Sequence, residues 1–305
     1  SRLTNIEFLD ISDSKIDDLS PLYGLHNLRS LNVKNTTVYD LTALSNLKNL
    51  KELNIENTDV KSLQALHELS ELSKIYADGS KIVKEEVLAL KKKQRQVTVV
   101  YQTDALRLWW GNLDLSWREI FNSHLVCNSN PTAEQLQSII DIEEIVVDPS
   151  NVVYSLEPLK EMAFLRKLII NNNQIQDLTP LNDKEYLEIL SVSGNPIDNI
   201  IPLANSILLK NLNIENTPVS DLTPISSLKN IKVLNIGGTS VRNLKPIAEF
   251  NALEDLSIVN TFVKSVVPLE NLSSLKHLKA YKTKIKSKNI DLLKQKHPDL
   301  NVIYY

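Results

Sequence analysis

Cysteine is nearly missing from this chain: Cys127 is the only one. That excludes an intramolecular disulfide and any zinc site built from several cysteines. Glycine is scarce, with 6 residues among 305, which argues against linker-rich or glycine-loop architecture. No run of about 18 apolar residues occurs, so no transmembrane segment is expected. Ser1 is not followed by a secretory leader. No charge excess dominates either. The 34 basic and 37 acidic residues leave a net charge of −3, so no global field favours nucleic acid, and none is expected as a partner. Phosphate-cradling, dinucleotide, zinc-protease and serine-hydrolase motifs (the Walker-type loop, GxGxxG, HExxH and GxSxG) are all lacking.

What the chain has is a period of 22 residues. Leu28, Leu50 and Leu72 open three consecutive units, and Leu165, Leu187, Leu209, Ile231, Leu253 and Leu275 continue at the same spacing. Such a period marks a stacked solenoid, in which each unit buries an apolar edge against its neighbours. In the unit that starts at Leu28, the apolar positions are Leu28, Leu31, Val33, Val38, Leu41, Leu44 and Leu47. Leu31 and Val33 alternate with Asn32 and Lys34, as in a strand with one face buried. Leu41, Leu44 and Leu47 step by three, which predicts short 3₁₀ or extended turns.

This pattern, as in Leu209-Lys210-Asn211-Leu212-Asn213-Ile214-Glu215-Asn216-Thr217, resembles the leucine-rich repeat, in the short class of bacterial internalin-like proteins. The resemblance covers roughly residues 1–101 and 139–305. It implies an α/β solenoid with a parallel β-sheet on the concave face and short 3₁₀ or turn segments on the convex face. It also implies a non-enzymatic, protein-binding role and a cell-envelope or secreted setting. A fold of this kind does not by itself fix a task.

The family usually carries Asn at the ninth repeat position. Asn173 and Asn195 keep it, whereas Thr36, Thr58, Thr217, Thr239, Thr261 and Thr283 replace it. A side-chain ladder that satisfies the backbone of the turn after each strand is expected there. Seven prolines share one repeat position: Pro21, Pro158, Pro180, Pro202, Pro224, Pro246 and Pro268. Several follow Ser or Thr, which predicts a hydroxyl N-cap and Pro at the first position of a short helical turn.

The register breaks once. Residues 1–101 read as a first array with a C-terminal cap, a helix over Glu85–Arg95 and a last strand over 97–101. Residues 142–305 read as a second array that closes the same way, with a helix over Ile290–His297 and a strand over 300–304. Val97 follows Ile75 by 22 residues, as Leu300 follows Leu278. Residues 102–141 hold all three tryptophans, Trp109, Trp110 and Trp117, and read as a helical junction that caps array two. Helices are predicted over Leu115–Phe121 and from Asn130-Pro131-Thr132 onward. The step from Ile142 to Leu165 is 23, so one extra residue is expected near Asp148-Pro149. Ile6, Leu9 and Ile11 already match a repeat. A solenoid end needs polar cover, so the sequence is expected to start inside a longer protein.

No catalytic residue, metal ligand or cofactor is assigned. His124 and Cys127 are three apart in the junction, but no orienting third group accompanies them. From Leu275 to Tyr305 there are eight lysines against two aspartates, a positive end on an acidic body. It reads as a solvated cap or as a surface for an anionic partner or membrane.

Outward-facing strand residues make the concave face. The candidate partner-binding residues in array one are Asn32, Lys34, Asn54, Glu56, Tyr76 and Asp78. In array two they are Asn211, Asn213, Glu215, Asn235, His277, Lys279 and Tyr281, beside Asn171, Ser191, Ser193, Ser257 and Val259. The partner expected is a protein, or else a glycan, met by a monomer. A structural spacer or adhesin stalk and an intracellular regulatory scaffold are the alternative readings.

Overall fold

The structure, a computed structural model, describes residues 5–125 and 130–304. The chain divides into two compact units, one of Ser1–Asn112 with Cys127–Ile139, the other of Leu113–Val126 with Ile140–Tyr305. In unit one, β1 (Phe8–Asp10), β2 (Ser30–Asn32), β3 (Glu52–Asn54), β4 (Lys74–Tyr76) and β5 (Thr98–Val100) form a parallel sheet in sequence order. In unit two, eight parallel strands do the same. They are β6 (Glu144–Val146), β7 (Lys167–Ile169), β8 (Ile189–Ser191), β9 (Asn211–Asn213), β10 (Val233–Asn235), β11 (Asp255–Ser257), β12 (His277–Lys279) and β13 (Asn301–Ile303).

Each strand is three residues long and turns its middle side chain inward. Leu31, Leu53 and Ile75 pair in register and are buried, as are Leu190, Leu212, Leu234 and Leu256. The chain returns through 3₁₀ turns such as Thr42–Leu44, Thr179–Leu181 and Thr223–Ile225, whose last residues are buried in the core. This alternation is the leucine-rich solenoid expected from the period.

The turn starts differ from expectation in one respect. Pro does sit in the first turn, but the Ser or Thr before it is not the accepting N-cap. The acceptor is the aspartate two residues earlier. Oδ1 of Asp221 accepts from the Thr223 amide at 2.8 Å and from the Thr223 hydroxyl at 2.6 Å. Asp18 with Ser20, and Asp40 with Thr42, repeat the arrangement. A hydroxyl with a carboxylate in reach donates to it, so the charged group becomes the cap.

The ninth-position ladder has two forms. Each Thr closes its own turn: Thr36 Oγ1 donates to Val33 O at 2.6 Å and Thr217 Oγ1 to Ile214 O at 2.7 Å. Asn crosses repeats. Asn195 Nδ2 donates to Ile170 O and Val192 O, and its Oδ1 accepts from Ile175 N at 3.0 Å. Only the carboxamide has both a donor and an acceptor long enough to reach the preceding repeat.

A third column, at the eighth position, went unread in the sequence. Asp13, Asn35, Asn57, Asn172, Asn216, Asn260 and Lys282 have positive φ there, as do Gly79, Gly194 and Gly238. Asn and Gly tolerate this left-handed turn best.

The caps form with a shifted register. Helix α1 (Lys84–Lys93) leads into β5 and α5 (Ser287–Lys296) into β13. Ile75 pairs with Val99 and Leu278 with Val302, an offset of 24 residues, not the 22 expected. A ten-residue helix in place of a 3₁₀ turn takes up the extra length. The extra residue of the first array-two repeat lies before Val153: β6 pairs with β7 at an offset of 23, while the Val153 and Ile175 amides, 22 residues apart, donate to the Oδ1 of Asn173 and Asn195 in the same way.

Among the described residues the junction holds three helices: α2 (Thr103–Gly111), α3 (Leu115–His124) and α4 (Ala133–Ile140). The division shares out residues 102–141, since α2 and nearly all of α4 go with unit one and α3 with unit two. Helix α3 is capped by Asp114, whose Oδ1 accepts from Trp117 N at 2.8 Å. Trp117 is buried against Phe121 and donates from Nε1 to Ser155 O at 2.9 Å, which ties α3 to the first repeat of array two. The start of α4 is a reciprocal capping pair, Thr132 with Gln135. Cys127 lies outside the described residues, and with it the His124–Cys127 pairing.

Candidate functional site

In array two, the outward positions of neighbouring strands bring Glu215, Asn235, His277, Lys279 and Tyr281 to one groove of about 400 Å³, with Val233, Asp255, Ser257 and Val259. In the column that carries Glu215 and Tyr281, Gly237 lets the Asn235 and Glu215 side chains close over the backbone: a Cβ there would stand 3.3 Å from both Asn235 Oδ1 and Glu215 Oε1. Asp255 and Val233, which also line it, were not among the residues singled out from the sequence.

The groove has unlike ends. Glu215 accepts from Asn235 Nδ2 at 3.1 Å, which leaves a carboxylate on one side. On the other side stand Lys279 and Tyr281, neither of which makes a side-chain hydrogen bond or ion pair among the described residues. His277 Nε2 lies 4.0 Å from Asp255 Oδ1. Along the strand starts runs a rim of alternating charge. Glu188 sits between Arg166 and Lys210, and Glu254 between Lys232 and Lys276. The hydrogen bond from Lys210, then that from Arg166, holds the Glu188 carboxyl below its ordinary range, and Lys276 does the same for Glu254. These pairs are exposed, so each contributes little to stability. They set the electrostatic pattern at the edge of the groove.

Asn211 and Asn213 both lie on β9, paired with Val233 and Asn235 of the groove, and Asn213 is taken up locally: its Oδ1 accepts from Glu215 N and its Nδ2 donates to Ser191 Oγ. Asn32, Asn54 and Asn235 likewise accept from the amide two residues on. These asparagines hold the turn after the strand and present only part of their polarity outward.

In array one, Asn32 and Asn54 line a shallow groove with Phe8, Asp10, Ser30 and Glu52. Lys34 and Glu56 pair at 2.9 Å. Tyr76 and Asp78 are engaged by the segment that follows. The Tyr76 hydroxyl donates to Glu134 Oε1 at 3.2 Å, and Asp78 accepts from the Thr103 amide at 2.8 Å and from the Thr103 hydroxyl. Burial raises the Tyr76 hydroxyl above its ordinary value, against the pull of Lys74 beside its ring. Among the described residues, no group of three or more His, Cys, Asp or Glu is placed to hold a metal ion.

No protein-family model matches this chain, and no curated protein does. Solved structures do. Internalin InlF of Listeria monocytogenes is 22% identical, with a TM-score of 0.51 over 97% of this chain and 79% of that one. Internalin C2 of the same species is 28% identical, with a TM-score of 0.58 over 65% of this chain and 85% of that one. The fold is an internalin-like leucine-rich repeat. In an internalin-like repeat the strand exteriors are the part free to vary, because the interior, the ninth-position ladder and the left-handed turn are fixed by packing. The groove beside Lys279 and Tyr281 is lined mainly by such outward positions. No helix among the described residues is long and apolar enough to cross a membrane.

Proposed function

We propose that this protein is a non-enzymatic recognition module that binds a protein partner through the concave face of array two. The observation that carries the reading is the pair Lys279 and Tyr281, exposed and half-buried respectively and free of side-chain partners among the described residues, lining one groove with Glu215 and Ser257. An aromatic ring and a cation beside a recess are the features that concentrate binding energy at protein interfaces. A partner segment with a carboxylate near Lys279 and a donor near Glu215 fits these ends. The open strip suits an extended protein segment better than an enclosed metabolite. Array one, with Tyr76 and Asp78 engaged by α4 and α2, is the lesser candidate. A cell-surface or secreted setting follows from the internalin-like resemblance.

The test is affinity capture from extracellular and surface fractions of the source cell, with Lys279→Ala/Tyr281→Ala as the control bait. A protein retained by the native chain, with affinity at least about ten-fold weaker for the double variant, supports the reading. A partner bound equally by both baits overturns the site. Capture of a glycan alone assigns the groove to another class, and no capture from any fraction favours a spacer role.

A further inference from the structure

A different face of unit two carries a second property. After each strand and left-handed turn, the chain runs through a short extended segment before the next 3₁₀ turn. Three of these segments lie side by side: Phe262 N donates to Val241 O at 3.1 Å, and Lys284 N to Val263 O at 3.0 Å. Val241, Val263 and Ile285 are buried, so the residues on either side of each must face out. Those residues are Ser240 and Arg242, Phe262 and Lys264, and Lys284 and Lys286. Lys282, in the left-handed turn with φ 55°, adds a further exposed cation beside them. No acid occupies any of these positions. None of the four lysines has an ion pair among the described residues, and Arg242 is held only by its stack on the Phe262 ring, 4.8 Å from the centroid. Phe262 is 43% exposed in the middle of the group.

We infer that this strip of Arg242, Phe262, Lys264, Lys282, Lys284 and Lys286 docks the protein on an anionic lipid surface. Three features favour a membrane over a soluble polyanion. The cations spread over three adjacent segments, not along a single line, which matches a plane of headgroups. Four of the five are lysines, compact point charges suited to diffuse attraction, not to bidentate recognition. The exposed aromatic ring at their centre, besides carrying Arg242, offers apolar area that a lipid interface takes up. The net charge of −3 requires the attraction to be local, so it acts only when this face is presented.

The test is co-sedimentation with vesicles of phosphatidylglycerol and phosphatidylcholine in equal parts, against phosphatidylcholine alone. The chain is expected to pellet with the mixed vesicles at low salt and to be released as salt rises. Each cation removed, as in Lys264→Gln or Lys286→Gln, weakens partitioning roughly five-fold. Lys264→Glu/Lys286→Glu abolishes it, while Lys15→Glu/Lys61→Glu, which changes net charge equally on unit one, leaves most of it. Phe262→Ser reduces it further without altering charge. Circular dichroism confirms that each variant is folded. Equal pelleting with both vesicle types, or equal loss in the two double variants, overturns the proposal. Retention on heparin with no vesicle binding also overturns it and gives the strip to a soluble polyanion.

Discussion

The side-chain amide of Asn57 donates to Asn35 Oδ1 across 2.7 Å, and Asn57 Oδ1 itself fills the space that a Cβ on Gly79 would enter. The same relation joins Asn172 to Gly194 and Asn216 to Gly238. In these three pairs Gly follows Asn one repeat on, and Asn35 is followed by Asn57, which hydrogen-bonds to it; Asn260 is followed instead by Lys282. Gly79→Ala is expected to destabilise unit one by about 1–3 kcal/mol, from its positive φ and from the clash. Asn57→Gly/Gly79→Ala should recover the steric part, so the two changes couple. Urea unfolding of the single and double variants measures that coupling; strict additivity would show that the Asn side chain simply moves aside.

The two forms of the ninth-position ladder predict unequal costs. Asn195→Ala leaves buried backbone groups of two repeats without partners and is expected to cost about 1–3 kcal/mol. Thr217→Ala removes one bond within a single turn and should cost about 1 kcal/mol. Asn195→Thr should recover only the bond to Val192 O. Thermal unfolding of the three variants ranks them, and equal losses would contradict the cross-repeat role.

The aspartate caps predict acid sensitivity. Bonds from Thr179 and Thr223, hydroxyl first and amide second, hold the carboxyls of Asp177 and Asp221 below the ordinary value of 3.8. Ser20, Thr42 and Ser150 do the same for Asp18, Asp40 and Asp148. Because the folded values lie lower, the unfolded chain binds more protons in this window. The caps' stabilisation is complete above the ordinary value and is lost as pH falls through the folded ones. The melting temperature should therefore drop on acidification below about pH 4. Asp177→Asn/Asp221→Asn, which keeps acceptors without titration, should shallow that slope; an unchanged slope would place the sensitivity elsewhere.

Trp117 is expected to anchor the start of array two. Trp117→Ala should cost about 3–5 kcal/mol, chiefly in unit two. Trp117→Phe should cost less, losing the bond to Ser155 O but keeping the ring packed on Phe121. Hydrogen exchange resolved by segment tests the locality: protection should fall first around residues 144–160 and stay in place over β1–β4.

Much of the fold was legible because a stacked repeat is local. Each inward Leu meets the Leu 22 residues on, so periodicity alone sets the sheet order and the register of Leu31 on Leu53. The 24-residue offset of the caps was not legible, because the length of chain a helix absorbs depends on how it packs back on the last turn. Helix α2 was missed for a similar reason. It starts at a left-handed Gln102 and is capped by Asp78, 25 residues away from Thr103, instead of by a neighbour in sequence.

The sequence by itself determined the solenoid, its strands, its two arrays and the set of side chains that face outward, since a period of 22 with one buried edge admits few other solutions. The tertiary structure decided which of those outward residues are free. Tyr76 and Lys279 hold equivalent strand positions in the two arrays, yet Glu134 engages the first while the second stands beside an open groove. Periodicity fixes the direction of a side chain; only the segments that fold back on it determine whether it remains available.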